Sequence, residues 1–436
     1  MKTILKSLLL IILLFSSYYS YSQKVKHVVL VSVDGFRPDF YLDSQWSTPT
    51  LRTLVQKGAY AKGVNSVFPS MTYPSHTTMV TGVQPVTHGV YFNNMFEPNG
   101  PTGKMYWNDS SIHAKTLWTA VNEAGGTASS IFWPVSAGAP VVYNIPDIGS
   151  MGDGVRGQYS TPKGFMDTLK AEVFHDTSKI DIGVNTNAAR IAAYVIEKSK
   201  PTLLTLHMFA VDHYEHEEGR NGKKVHDAVS NTDSGIAIII DALKAAGIYD
   251  STILIVTGDH SFVDVTTNIN PNVWLKENGL CNDVKADDWK AQFFSVGGSS
   301  YLYVKNNDAA VAKQVMDMLN RLPEEKKKLF AVVDRKKLDA IGANPLVSFA
   351  LTGLGGTSFG NAFTGEDVKP GHGGTHGYFP EFADIQTGFI ITGPHIAKGK
   401  PIGVMNERDI CSVVAAALGI SFPSSEGKVP QGMFIK

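Results

Sequence analysis

Several acidic and imidazole-bearing positions stand at spacings that suit the binding of cations. Asp212 and His216 lie four apart in VDHYEH, so on a helical turn both side chains can reach one ion. Asp259 and His260 are adjacent after the apolar run STILIVTG, where a sharp turn would aim both at one place. Asp34 follows HVVLVSV, and GHGGTHGY offers His372 and His376 among glycines. An aspartate at a strand end can equally cap the next helix, and an isolated surface histidine needs only water. Together, three carboxylates and two or three imidazoles make enough hard and borderline ligands for two divalent cations, with zinc suiting the mixture. His76, His88, His113, His175, His213 and His395 are read as solvated, with His213 and His372 as substitute ligands.

The stretch FPSMTYPSHTTMVTG, residues 68 to 82, places Thr72 just before a proline and a helical pattern. Pro74 suits a first helical turn because its missing N–H would have had no partner there. Free N–H groups at such a terminus favour an anion. Two readings follow. Thr72 caps the helix, or its hydroxyl, activated by a bound cation, acts as a nucleophile.

These groups need a frame. HVVLVSV, TLLTLHMFAVD, STILIVTGDH and TGFIITGP read as buried strands, while SGIAIIIDALKAAGI and RDICSVVAAALGI read as helices. The alternation predicts an α/β fold: a mostly parallel central sheet with helices on both faces. Ligands of such sheets collect outside the carboxyl ends of the strands, where three strand ends here carry acids. The catalytic core is expected over residues 23–262 and 376–436. Residues 263–375 form an inserted subdomain, a small strand-helix-strand unit followed by a glycine-rich loop. Trp133 to about Gly164 reads as a long surface loop.

Composition narrows the classes. The 436 residues carry a net charge of −1, which leaves no footprint for a stable nucleic-acid complex. Thirteen histidines against two cysteines mean that a metal site would use imidazole and carboxylate rather than thiolate. Cys281 and Cys411 form one disulfide or stay as two buried thiols. Residues 1–22 have two lysines, an apolar run from Leu8 to Phe15 and small residues before Gln23, as in a cleavable secretory signal. A periplasmic or secreted protein with no membrane span after cleavage is expected.

The ordered segments VSVDGFRPD, FPSMTYPSHTTMVTG, THGVYFNN, FWPVS, VDHYEH, GDH and THGY resemble those of the nucleotide pyrophosphatase/phosphodiesterases of the alkaline phosphatase superfamily. The likeness covers roughly residues 25–262 and 370–436. It implies an alkaline phosphatase-like fold, two Zn2+ per chain and a small phosphodiester or nucleotide substrate. Thr72 then matches a nucleophile that forms a covalent phospho-enzyme. Asp34, Asp259 and His260, with Thr72, match the ligands of one zinc; Asp212, His216 and His376 match those of the other. Asn93 matches a donor to a phosphate oxygen, with Asn94 as rival. Tyr73 matches an aromatic that stacks on a base, with Phe132, Trp133, Tyr143 and Tyr159 completing the platform. The neutral Asn93 favours diesters over monoesters, whose hydrolases in the superfamily add a cationic clamp; Arg37 and Arg156 are the candidates for one. A phosphonate hydrolase or phosphomonoesterase on the same core, or a non-catalytic secreted binding protein, are the alternatives. The Cys/Ser-x-Pro-x-Arg signature of a sulfatase is absent at Thr72.

Overall fold

A computed structural model describes residues 24–149, 152–175 and 179–435. The segment read as a secretory signal lies outside the described residues. The central sheet is built from β1 (His27–Val33), β2 (Ala59–Asn65), β3 (Ala128–Ile131), β4 (Asn144–Ile145), β5 (Leu203–Met208), β6 (Thr252–Thr257), β7 (Phe389–Thr392) and β8 (Lys400–Asn406). Their spatial order is β8-β2-β7-β6-β1-β5-β3-β4. Only β7 runs antiparallel, against both β2 and β6; the remaining neighbours pair in parallel.

β1 is apolar almost throughout because both of its faces are covered. Val29, Val31 and Val33 join Leu204 and Leu206 in one core, which takes residues from helices α2 (Asn185–Ser199) and α4 (Lys223–Ala245). Val28 and Leu30 join Leu203, Ile253 and Ile255 in the opposite core, with Met79 and Val80 of α1 (Thr72–Thr81) and Ile410 and Val414 of α5 (Arg408–Leu418). The two-residue period of the strand thus sorts its side chains between two layers. A further helix, α3 (Ala210–Glu218), begins directly after β5.

The centre of the sheet runs β6-β1-β5. Asp34 follows β1, α3 with Asp212 follows β5, and Asp259-His260 follow β6, so three separate parts of the sequence leave the sheet side by side.

The inserted region is more ordered than its sequence suggests. Strands Ala291–Val296, Ser299–Val304, Val347–Gly353 and Phe330–Val333 form a four-stranded antiparallel sheet, and Thr267–Ile269 pairs with both Thr357–Phe359 and Val368–Pro370. Its core holds Trp274, Phe293, Leu302, Leu319 and Phe349. The expected glycine-rich loop is partly strand: residues 351–353 and Thr357–Phe359 lie in strands on either side of the turn from Leu354 to Gly356. The expected surface loop after Trp133 is also corrected. Positive φ values at Phe132 and Val135, 56° and 57°, fold the chain back at the end of β3 and bury Trp133, and the segment then supplies β4 and a helix at Gly152–Tyr159. Cys281 and Cys411 are free thiols in different cores. Among the described residues no helix is long and apolar enough to cross a membrane.

Candidate active site

Asp34 is placed by the backbone of the central strands. Its N–H donates to the Met208 carbonyl at the end of β5 (2.8 Å). Gly35 then takes φ 75° and its N–H donates to Asp259 Oδ1 (3.3 Å). Only glycine fits this step, since a Cβ would lie 2.5 Å from Glu215 Oε2.

The expected donors converge in two adjoining groups. Asp34 Oδ1 and Asp259 Oδ2 each lie 3.2 Å from His260 Nε2. Asp212 Oδ1 lies 3.4 Å from His216 Nε2, as the four-residue helical spacing predicts, and 3.7 Å from His376 Nε2. Asp212 also falls within 4.8 Å of the Asp34 and His260 donor atoms, and the rings of His260 and His376 stack at 3.7 Å, so the groups share a wall. His372 is exposed and joins neither group.

Asp34 Oδ1, Asp212 Oδ1, Asp259 Oδ2 and His260 Nε2 are buried without hydrogen bonds among the described residues. Lone pairs crowded together in this way fit a divalent cation between them. The ring orientations agree. His216 Nδ1 lies 3.0 Å from the Gly374 carbonyl and His376 Nδ1 lies 3.0 Å from the Ser70 carbonyl. A carbonyl only accepts, so each Nδ1 carries its hydrogen and each Nε2 offers its lone pair inward.

Electrostatics give the same picture. Burial, then the charge of Asp212, pushes the Asp34 carboxyl well above the usual range; burial, then Asp34, does the same to Asp259. Burial, then His376 and His216, pushes His260 down, and burial, then His216, pushes His376 to about 4. Burial therefore favours neutral rings at His260 and His376, while Asp34 and Asp259 need positive charge to ionise together.

Thr72 is the first helical residue of α1. The residue before it, Met71, occupies the cap position with extended backbone and no side-chain cap, so Thr72 does not spend its hydroxyl on capping. Asn93 Oδ1 accepts from the N–H of Tyr73 (2.9 Å). This fixes the amide beside the helix terminus and leaves its NH2 as donor. Asn94 is exposed and bridges to Met105 instead. Ser70 ties this turn to His376 through its carbonyl, and the Gly377 N–H donates to the same carbonyl (2.9 Å).

The aromatic platform is corrected. Tyr73, Phe132 and Trp133 are 2 %, 1 % and 0 % exposed. Tyr73 packs with Val90 and Val135 under Met105, Tyr106 and Trp107. Trp133 donates its Nε1–H to the His76 carbonyl (3.3 Å). Tyr143 packs on Phe165 and Tyr159 on Trp107. Of the proposed clamp residues, Arg37 is buried and engaged with Asp39, Glu215 and the Arg220 carbonyl. Arg156 is buried and donates to the Gly149 carbonyl (3.2 Å).

Three polar residues behind the donors had no recognisable sequence signal. His207, within the apolar run of β5, reaches Asp34 Oδ2 with Nε2 (3.1 Å) and the Phe132 carbonyl with Nδ1 (3.1 Å). His76, read as solvated, is fully buried, with Nδ1 2.7 Å from the Thr72 carbonyl and 3.7 Å from Asp259 Oδ2. Glu407 is buried and accepts from Ser66 Oγ (3.1 Å), whose hydroxyl also lies 2.6 Å from the Asp259 carbonyl. His88 is likewise buried rather than solvated, with Nε2 3.0 Å from Thr78 Oγ1 and Nδ1 accepting from the Val90 N–H (3.1 Å).

Comparison with known proteins places this arrangement. A human ectonucleotide pyrophosphatase/phosphodiesterase family member 5 is 28% identical over 265 residues, covering 59% of this chain and 50% of that protein. The mouse family member 7 is 24% identical over 420 residues, covering 93% of this chain and 86% of that protein. The chain thus spans about half the length of the first relative and most of the second. An inactive variant of the murine ectonucleotide pyrophosphatase/phosphodiesterase 5, solved in complex with AMP, superposes with a TM-score of 0.69 at 19% identity, over 92% of this chain and 97% of that one; this establishes the fold as alkaline phosphatase-like. The family model for type I phosphodiesterase / nucleotide pyrophosphatase matches residues 28–379. With that match over most of its length, the chain belongs to the type I phosphodiesterase / nucleotide pyrophosphatase family.

Proposed function

We propose that this chain is a secreted, two-zinc phosphodiesterase or nucleotide pyrophosphatase that works through a phospho-threonine intermediate. The supporting observation is the meeting of Asp34, Asp212, His216, Asp259, His260 and His376 in two adjoining donor groups, next to the turn that carries Thr72. Asp34, Asp259 and His260 would hold one zinc with Thr72, and Asp212, His216 and His376 the other. The ions would supply the charge that ionises a hydroxyl and a water and that stabilises the entering and departing oxygens of an in-line displacement.

The chain's own groups do the positioning. Thr72 Oγ loses its proton and bonds to phosphorus as the bond to the departing alcohol or phosphate breaks; water then releases the phosphoryl group and returns the hydroxyl. Asn93 donates its NH2 to a non-bridging oxygen, and the first turn of α1 presents its dipole to the same charge. Phosphoryl transfer is served mainly by such charge stabilisation. The engagement of Arg37 with Asp39 and Glu215 removes one candidate for a monoesterase clamp and favours diesters.

Thr72→Ala tests this reading. Turnover of bis(p-nitrophenyl) phosphate should disappear while about two zinc ions per chain remain by elemental analysis. Retained turnover would exclude Thr72 as nucleophile.

A further inference from the structure

A cavity of about 550 Å³ opens beside Asn93, His216 and His376. That volume is in the range of a small-molecule pocket. Its walls come from the 93–104 segment and from the inserted region, and include Met71, Phe96, Val284, Phe294, Val296 and Phe363, all half-buried.

Three of the amide side chains in this lining, those of Asn272, Asn361 and Gln292, are engaged with the frame. Asn272 Oδ1 accepts from the Phe293 N–H and its NH2 donates to the Phe293 carbonyl, both at 2.8 Å. Asn361 makes the same pair with Ser295, at 2.8 and 2.9 Å. Gln292 donates to the Pro98 carbonyl (2.7 Å). With these three amides committed to the frame, Asn93, Asn94, Glu97 and Lys104 supply polar groups to the lining, and the rest of the wall is mainly aromatic and aliphatic. The other side of the catalytic turn is filled, since Tyr73 lies under Met105, Tyr106 and Trp107.

Of the two donor groups, only the histidines of the second touch this space. His216 and His376 line it, whereas Asp34, Asp259 and His260 do not. In an in-line displacement the arm that departs lies away from the nucleophile and its cation. We infer that this cavity receives an apolar departing arm, so that the substrates are diesters of long-chain alcohols. This rests on the phosphodiesterase reading above. Thr72 Oγ bonds to phosphorus as the P–O bond to the long arm breaks. The arm leaves as its alcohol, with a proton shed by the threonine and relayed through water. A second water then releases the short phosphate monoester and restores the hydroxyl.

The test is a series of alkyl methyl phosphates, from ethyl to dodecyl, offered to the zinc-loaded protein. Each buried methylene can add up to about fourfold, so kcat/KM should rise at least ~tenfold from ethyl to octyl. The products should be methyl phosphate and the long alcohol. A flat or falling series, or release of methanol with alkyl phosphate, overturns the inference. Calorimetric binding of the same series to the Thr72→Ala protein separates the two readings. Dissociation constants that tighten with chain length, without turnover of any diester by the wild type, would retain the cavity assignment and sink the phosphodiesterase. Constants independent of length sink the cavity assignment whatever the turnover. Phe294→Ala and the rim variant Val284→Asp should each cut the octyl-to-ethyl ratio at least ~fivefold. Val284→Asp serves if loss of the Phe294 ring unfolds the protein, and an unchanged ratio in that folded variant counts against the cavity.

Discussion

Asn93 and His376 show how a side chain is committed at one end so that its other end is free to work. The Asn93 oxygen is held by the Tyr73 N–H, leaving its NH2 as the donor. Asn93→Ala should therefore lower kcat by about a hundredfold, as loss of one preorganised donor does elsewhere, and steady-state kinetics on an aryl diester would measure it. His376 Nδ1 is held by the Ser70 carbonyl, which sends Nε2 toward Asp212. His376→Ala should lose about one zinc per chain on elemental analysis, while His372→Ala should lose none. The Asp and His pairs at strand ends were readable because their spacing survives whatever surrounds them. His207 and Glu407 were not, because nothing local distinguishes a histidine inside an apolar strand, or a glutamate at a helix start, from any other. His76 and His88 were misread for the same reason: burial is decided by layers the sequence does not juxtapose.

At the level of elements, the alternation of apolar strands and helices foretold the central sheet, and one strand order explains the site. β6, β1 and β5 are neighbours, so acids that follow each of them must emerge together. β7 was legible as a strand, but its antiparallel direction and the full four-stranded sheet of the inserted region escaped the sequence, since direction and short pairings are decided by partners distant in the chain. The loop before His376 is set against α3 by Gly373, whose φ is 70° and whose absent Cβ would sit 2.1 Å from the His216 carbonyl. Gly373→Ala must push these two carriers of the second donor group apart. A destabilisation of about 1–3 kcal/mol and a loss of zinc are expected, read by thermal melting and elemental analysis of one sample. Normal zinc content would show that the loop tolerates the shift.

Across the whole molecule, buried neutral imidazole is one source of acid sensitivity. His88, pushed down to about 3 by burial and then by His113, is folded only in its uncharged form. An unfolded chain takes up that proton near pH ~6.5. Because the folded pKa is depressed, this histidine's contribution is intact above about pH 6.5 and is lost as the pH falls toward 3. Between pH ~6.5 and ~5 that loss amounts to about 2 kcal/mol. His88→Asn keeps an acceptor for Val90 without a titrating ring, so its urea midpoint should fall less over that interval; an equal fall would exclude His88 as a source of the acid sensitivity.

The donors also have an order of appearance. Asp34 directly follows the first strand, whereas His376 follows the entire inserted region. A ribosome that has delivered every acid of the constellation has still not delivered its last imidazole. In the proposed two-cation site, the second donor group is therefore completed only once the whole inserted region has been made and folded back against α3.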